Sequence, residues 1–371
     1  MSRIALRMGG IDSSGIRKVF NLAQHIKDPI NLSIGQPDFD VPESVKHDMI
    51  SAIQGGFNKY TLTQGDADLR RGISSLPRYR RSPYCGKYNE DNVMITSGVS
   101  GGILLAFAVL LNPGDEVLIP DPYFVMYPHL ARFFGAVPKF IDTYPDFRIT
   151  EEKLTAAYTP KAKLIVVNSP SNPTGAVSTE ADAAVIRAFA KKHGLIIISD
   201  EIYDAFVYDG AFASIADLHE ETIVLNGFSK NLAMTGLRIG YAMGPADIIA
   251  EMIKLQQYTF VCAPSIAQKG VLKHLDYDFK PICDTYRRKR DIIYDGLSNK
   301  FSLARPMGAF YAFPGLRNGE TGSQFVQRAI DKKVLIIPGN VFSARDTNFR
   351  LSFAADDAVL KEGVRILTSL V

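Results

Sequence analysis

Three uninterrupted apolar runs, Leu164-Ile165-Val166-Val167, Leu195-Ile196-Ile197-Ile198 and Thr222-Ile223-Val224-Leu225, constrain this chain more than any other feature. A strand with one face in water alternates apolar and polar residues. A strand without that alternation must be covered on both faces. Between the first two runs, Glu180 to His193 has helical spacing and stops at Gly194, a residue suited to end a helix. Val93 to Thr96 reads as another short strand, running into a glycine-punctuated helix from Gly98 to Leu111. Glu116-Val117-Leu118-Ile119 reads as a further buried strand between Pro-Gly-Asp and Pro-Asp-Pro. Strands alternating with helices predict an α/β fold, with a largely parallel sheet and crossover helices. Ligands of such sheets bind beyond the carboxyl ends of the strands. Asn172, Asp200 and Lys230 each follow one of the three runs, so they are expected to converge.

The C-terminal third has a different texture. Ile282 to Leu297 reads as a long polar-faced helix. Shorter strands are expected around Phe310-Tyr311-Ala312-Phe313, Val334-Leu335-Ile336-Ile337 and Phe349-Arg350-Leu351-Ser352-Phe353, followed by a last helix. This predicts a smaller α+β domain, with the first 45 residues packed against it rather than against the central sheet. The expected division is a large domain over 46–280 and a small one from 1–45 with 281–371.

The 371 residues allow two domains, and 46% hydrophobic with 22% charged residues is ordinary for a globular enzyme. A net charge of +3 gives no ground for expecting nucleic acid or a membrane surface as partner. The basic run Arg287-Arg288-Lys289-Arg290 is expected to be the solvated face of a helix. Cys85, Cys262 and Cys283 are far apart, odd in number and without metal-ligand spacing, which suits a reducing cytoplasm. Met1 to Gly10 does not read as a signal peptide, and no apolar stretch approaches the ~20 residues of a membrane helix.

The chemistry centres on Gly227-Phe228-Ser229-Lys230-Asn231-Leu232-Ala233-Met234-Thr235-Gly236-Leu237-Arg238. A lysine amine attacks carbonyls when its surroundings lower its pKa or hold it at the carbonyl. A lysine after a strand, with a hydroxyl before it and an arginine beyond, suits an aldehyde cofactor bearing a phosphate. Asp200, at the end of an apolar strand, needs a partner; a pyridine nitrogen would serve, or the residue caps the next helix. Tyr203 and Asn172 are placed to bond a ring hydroxyl, though a packed tyrosine and an Asx-turn account for them equally. Ser97-Gly98-Val99-Ser100-Gly101-Gly102 opens a helix whose free N–H groups suit an anion, or it is a tight packing turn. Ser229 adds a hydroxyl, and Arg238 can pair bidentately with a phosphate. Phe124 either stacks on a ring or is plain core. Arg350, in a strand between Phe349 and Leu351, needs an anion: a substrate carboxylate or an internal ion pair.

Together these pieces resemble the class I/II aminotransferases, pyridoxal-phosphate enzymes of fold type I similar to aspartate aminotransferase. The resemblance runs through Asn31-Leu32-Ser33-Ile34-Gly35-Gln36-Pro37-Asp38-Phe39, Tyr60 to Leu69, Asn172 to Gly175, Asp200 to Tyr203, the Lys230 segment and Phe349 to Phe353. It implies a mostly parallel seven-stranded sheet flanked by helices, plus the smaller α+β domain. It implies that Lys230 holds pyridoxal 5′-phosphate as a Schiff base and moves the substrate's α-proton, while Asp200 pairs with the ring nitrogen. Tyr203 and Asn172 would bond the ring hydroxyl. Gly98, Val99, Ser100, Ser229 and Arg238 would hold the phosphate, and Phe124 would stack. Arg350 would clamp the α-carboxylate, with Asn172 nearby and the Ile34-Gly35 backbone closing over the substrate. Tyr60 would reach the phosphate of a neighbouring subunit, which implies a homodimer with shared active sites.

The expected activity is an amino-acid:2-oxo-acid aminotransferase with ping-pong exchange; a carbon–sulfur β-lyase on the same scaffold is the main alternative, and a ligand-sensing regulator a lesser one. The amino donor stays open among aspartate, aromatic and broad. Aspartate-specific relatives use a further basic group, which the sequence does not place. Tyr258 and Phe260 either line the pocket, favouring aromatic or broad substrates, or pack at a dimer interface.

Overall fold

A computed structural model describes residues 3–23, 26–77, 88–210, 212–215 and 220–371, without the side chains of residues 18, 20, 22 and 23. Cys85 lies outside the described residues. The strands are β1 (Ile30–Asn31), β2 (Val93–Thr96), β3 (Glu116–Asp121), β4 (Val137–Asp142), β5 (Ala162–Asn168), β6 (Ile196–Asp200), β7 (Thr222–Gly227), β8 (Gly240–Met243), β9 (Tyr311–Ala312), β10 (Val334–Leu335), β11 (Ile337–Pro338) and β12 (Phe349–Ser352).

Seven of them form one sheet in the order β2-β8-β7-β6-β5-β3-β4. Only β8 runs antiparallel to its neighbours. The apolar runs are buried on both faces as their sequences require. Leu164 and Val166 of β5 face one layer with Phe107, Tyr127 and Met252, while Ile165 and Val167 face another with Ile186 and Phe189. The helix Glu180–His193 forms at its predicted place, opened by a Thr179/Asp182 capping box and closed by Gly194 at φ 64°. The register of the parallel strands brings their carboxyl ends together: Asn168 lies beside Asp200, and Asp200 beside Leu225, so β5 and β6 stop at one level and β7 runs two residues further, to Gly227.

Two strands of this sheet escaped the sequence pattern. In β4, an edge strand, Pro138 and half-exposed residues break the apolar run. In β8, four residues spell Gly-Tyr-Ala-Met, too short to show a period. The run 334–337, expected as one strand, splits. β10 pairs in parallel with β1 near the N-terminus, whereas β11 pairs antiparallel with β12, which pairs with β9. These short strands and the helices Lys280–Leu297 and Asp357–Ser369 share a second core around Phe301, Phe310, Phe325 and Phe349. The first residues divide their contacts: Leu6–Gly10 lies against the helix Met126–Phe133, with Arg7 over the Phe133 ring, whereas β1 joins β10.

The basic run 287–290 is not a solvated face. Arg290 is fully buried, donating to Asp209 at 2.9 Å, Asp291 at 2.6 Å and the Pro306 carbonyl at 2.7 Å. Lys289 is buried against Asp38. Arg287 and Arg288 keep an outward position, each beside an aspartate. The helix turns two of the four charges inward, where desolvation is tolerated only because each meets a carboxylate. Among the described residues no helix is long and apolar enough to cross a membrane, and no cluster of metal-ligating side chains occurs.

Candidate active site

The strand ends open onto a cavity of about 400 Å³. Lys230 enters it three residues after β7. Its Nζ donates to the Gly35 carbonyl at 2.7 Å and stands 5.8 Å from the Tyr203 ring centroid. Burial lowers the amine to about 8, with Arg350 and Arg238 adding repulsion and Asp200 pulling the other way. Such an amine holds a far larger neutral fraction near neutral pH than an ordinary lysine does, and that fraction can act as nucleophile or base.

Asp200 ends β6 fully inside the protein. Tyr127 donates to its Oδ2 at 2.7 Å and the Ile202 N–H to its Oδ1 at 3.3 Å. Burial nevertheless pushes its carboxyl up to about 6, against the Tyr127 bond, the Ile202 N–H and Lys230. Among the described residues, neither helix capping nor an ion pair accounts for it. Asn172 is buried in its proline-bracketed turn: its N–H donates to Asn168 Oδ1 at 2.9 Å, and Asn168 Nδ2 donates to the Asp200 carbonyl at 3.0 Å.

Arg350 reaches in from β12 and is 1% exposed. Its Nη1 donates to Asn172 Oδ1 at 3.1 Å and its Nη2 to the Ser33 carbonyl at 2.6 Å, and its guanidinium lies 4.7 Å from the rings of Tyr311 and Phe342. Its Nε is buried without a partner. Among the described residues no carboxylate pairs with it, so the internal ion pair considered for it is not what the structure contains. A buried guanidinium held by neutral acceptors is suited to an anion.

The opposite wall is built to approach closely. Gly98 opens the helix Gly98–Leu110 at φ 68°, and Ser97 makes no side-chain cap, so the first-turn N–H groups of Val99 and Ser100 stay available. A Cβ on Gly98 would stand 2.7 Å from Arg238 Nη2, and one on Gly240 would stand 2.8 Å from the Gly98 carbonyl carbon. Arg238, itself left-handed at φ 50°, is steadied by the Thr235 carbonyl at 2.9 Å. Ser229 borders the same corner. This is an anion cradle of backbone donors with one guanidinium.

Phe124 lines the cavity edge-on to Tyr127, with ring centroids 5.7 Å apart, and Ile34 and Gly35 line its roof. Tyr60 is 84% exposed and does not join the cavity of its own chain. Tyr258 is exposed too, and Phe260 packs beside Gly101; neither lines this cavity, so the pocket-lining role considered for them is not found within the chain. Residues missed from the sequence are Tyr127, Tyr311, Asn168 and Arg17. Tyr127 lies one helical turn beyond Phe124, and Asn168 ends its strand as Asp200 does; those were their available signals. Tyr311 had only strand alternation, and Arg17 nothing.

Residues 27–367 match the family described as aminotransferase class I and II. A probable aspartate aminotransferase of Methanocaldococcus jannaschii is 38% identical, over 99% of this chain and 99% of its own. Aromatic-amino-acid aminotransferase 2 of Thermococcus litoralis is 34% identical, covering 96% and 95%. The structure of aspartate aminotransferase from Thermus thermophilus with maleate superposes with a TM-score of 0.95 at 31% identity, covering all of both chains.

Proposed function

The chain belongs to the class I and II aminotransferases, and from that premise we propose that it moves an amino group between an amino acid and a 2-oxo acid in a two-stage exchange, with pyridoxal 5′-phosphate seated around Lys230. The observation that carries this reading is a buried amine, lowered to about 8, bonded to a neutral carbonyl and set between a buried carboxylate and two arginines.

The residues fit the cofactor. The cradle of Gly98, Val99, Ser100, Ser229 and Arg238 would take the phosphate, where a Cβ on Gly98 or Gly240 would intrude. Asp200, held by Tyr127, would face the ring nitrogen, with Phe124 against the ring and Tyr203 and Asn172 at the ring hydroxyl. When bound, pyridoxal phosphate supplies an electron-poor ring that accepts the electron pair left when a substrate's α-proton departs. Lys230 Nζ would take that proton and return it; positioned acid–base groups contribute typically about 10²- to 10⁴-fold. Arg350, aimed by Ser33 and Asn172, would receive the α-carboxylate at its open side, beneath the Ile34-Gly35 backbone. On the partition into 46–280 and 1–45 with 281–371, Lys230 and Arg350 stand on different domains, and movement between them would let Arg350 close on the substrate; the neighbours of Lys230, Phe228 and Leu232, pack in one core and those of Arg350, Phe349 and Leu351, in another.

The cavity also supports a substrate class. Besides Lys230, Arg238 and Arg350, Arg17 of the helix Gly15–Ala23 is the other cation lining it among the described residues. It is placed to meet a second carboxylate, so dicarboxylic donors and acceptors are preferred on this reading; the Thermus thermophilus neighbour was solved with a dicarboxylate, maleate. Tyr60, Leu62, Tyr258 and Val261 are exposed apolar side chains, which suits a homodimer bringing Tyr60 to the partner's phosphate site. A reducing cytoplasm suits the free Cys262 and Cys283.

The test is a donor-by-acceptor panel on the wild type, Lys230→Ala and Arg17→Gln. Lys230→Ala should lose turnover altogether; near-normal turnover in that variant would falsify the assignment. Arg17→Gln should raise KM for dicarboxylic substrates about tenfold, the scale of one partly exposed charge contact, and leave monocarboxylic ones unchanged. Pyruvate or ammonia released from an amino acid without any oxo acid would replace transamination by elimination.

A further inference from the structure

Tyr203 and Tyr311 place their hydroxyl oxygens 2.9 Å apart, with the rings nearly perpendicular at 88°. Both side chains are almost wholly buried. Among the described residues, each hydroxyl has the other as its only hydrogen-bond partner. Each carries one hydrogen, because burial raises both phenols and keeps them protonated. One hydrogen is therefore spent between the two oxygens, and the other must find a third group.

The surroundings decide which. Close to Tyr311, the Gly35 carbonyl accepts from Lys230, the Ser33 carbonyl from Arg350 Nη2 and Asn172 Oδ1 from Arg350 Nη1, so a phenol hydrogen aimed at any of them would lie beside a cationic donor. The Arg350 guanidinium sits 4.7 Å from the Tyr311 ring centroid and repels any arrangement that aims a further hydrogen at it. Gly35 crowds Tyr311 so closely that a Cβ there would lie 2.6 Å from its oxygen. Tyr203 and Tyr311 both line the cavity that also holds Asp200, Lys230 and Arg238, so what separates them is the Arg350 guanidinium set against Tyr311.

We propose that Tyr311 is a positioning residue for Tyr203: the Tyr311 hydroxyl donates to the Tyr203 oxygen, so that the one hydrogen of Tyr203 is committed to the ring hydroxyl oxygen of the bound cofactor. This rests on the cofactor reading above and adds a direction to it. A donor that itself accepts a hydrogen bond becomes the stronger donor. Tyr311 thereby strengthens the contact that Tyr203 makes, without touching the cofactor itself. It also ties that contact to the Gly35 backbone that roofs the substrate.

The direction has a measurable sign. Donation to the ring oxygen stabilises negative charge there, which favours loss of the proton that the charge would otherwise retain. Weaker donation keeps that proton bound to higher pH. The holoenzyme's visible absorption should therefore titrate with a midpoint raised by about half a pH unit or more in Tyr311→Phe, a variant that keeps the ring and its packing. Site-specific 3-fluorotyrosine at position 311, a stronger acid, should lower the midpoint. In a Tyr203→Phe background, Tyr311→Phe should add nothing. A merely structural tyrosine would lower the melting temperature and leave all three midpoints in place.

Midpoints unchanged in both Tyr311 variants, with normal cofactor uptake, overturn this inference alone. A wild-type protein that takes up no pyridoxal phosphate overturns the proposed function as well. Should Tyr311→Phe not fold, the fluorotyrosine titration decides: a lowered midpoint supports the direction, and an unchanged or raised one refutes it.

Discussion

The Tyr127 hydroxyl donates to Asp200 Oδ2 across 2.7 Å, 73 positions along the chain, and both groups are buried. The carboxylate proposed to face a ring nitrogen is thus not left to solvent or to chance rotamers. The bond also opposes the rise that burial imposes on Asp200. A hydrogen bond to a charged group is worth about 1.5–3 kcal/mol. Tyr127→Phe should therefore weaken pyridoxal phosphate binding by at least about tenfold. Spectrophotometric titration of the apoprotein measures it; unaltered affinity would remove Tyr127 from this role.

Asp200 itself should show opposite effects with and without cofactor. Its carboxyl is raised from 3.8 to about 6 by burial, so it stabilises the fold when protonated and loses that contribution as pH rises through 6. At pH 8 the apoprotein carries a buried negative charge that costs up to about 3 kcal/mol. Asp200→Asn should raise the apoprotein melting temperature at pH 8, with the gain shrinking as the pH is lowered towards 5. The same variant should bind cofactor poorly. A destabilised apoprotein at pH 8 would mean that the charge is compensated.

Lys230 should be reactive at unusually low pH. Its amine is lowered from 10.5 to about 8, and only the neutral form attacks an acylating reagent. Competitive acylation of the apoprotein, read by peptide mass spectrometry, should show half-maximal labelling of Lys230 near pH 8. Labelling that rises only with the solvent-exposed lysines would contradict the lowered value.

The proposed phosphate cradle should not tolerate a methyl group at Gly240. A Cβ there would stand 2.8 Å from the Gly98 carbonyl carbon and 2.9 Å from the Val99 nitrogen, backbone atoms that cannot swing aside. Gly240→Ala should reduce cofactor affinity about tenfold or more, the scale of one lost charge-assisted hydrogen bond. Gly236→Ala, where a Cβ meets nothing within 4 Å, should leave it unchanged. Equal affinities in the two variants would count against the cradle.

Arg290 should matter for stability rather than chemistry. It is fully buried and ties the helix Lys280–Leu297 to Asp209 and to the Pro306 carbonyl. Removing one partner of a buried ion pair typically costs about 3–5 kcal/mol. Arg290→Met should lower the denaturant midpoint markedly while leaving the KM values of the surviving folded enzyme unchanged. A shift no larger than that of the exposed variant Arg365→Met would show that the charge is not needed.

The sequence by itself determined the strand–helix alternation and the convergence of Asn172, Asp200 and Lys230. Both follow from local rules: apolar periodicity shows which segments are strands, and parallel crossovers place their carboxyl ends together. It also singled out Arg350 as an arginine in need of an anion. Only the tertiary structure decided that no carboxylate among the described residues meets it and that the Ser33 carbonyl, 317 positions away, does. The same holds for Tyr127 on Asp200 and Tyr311 on Tyr203, and for the inward turn of Lys289 and Arg290 in a run that reads as solvated. Local patterns carry the period of a segment but not the identity of what packs across from it, and for a buried polar side chain that distant partner sets charge, direction and role.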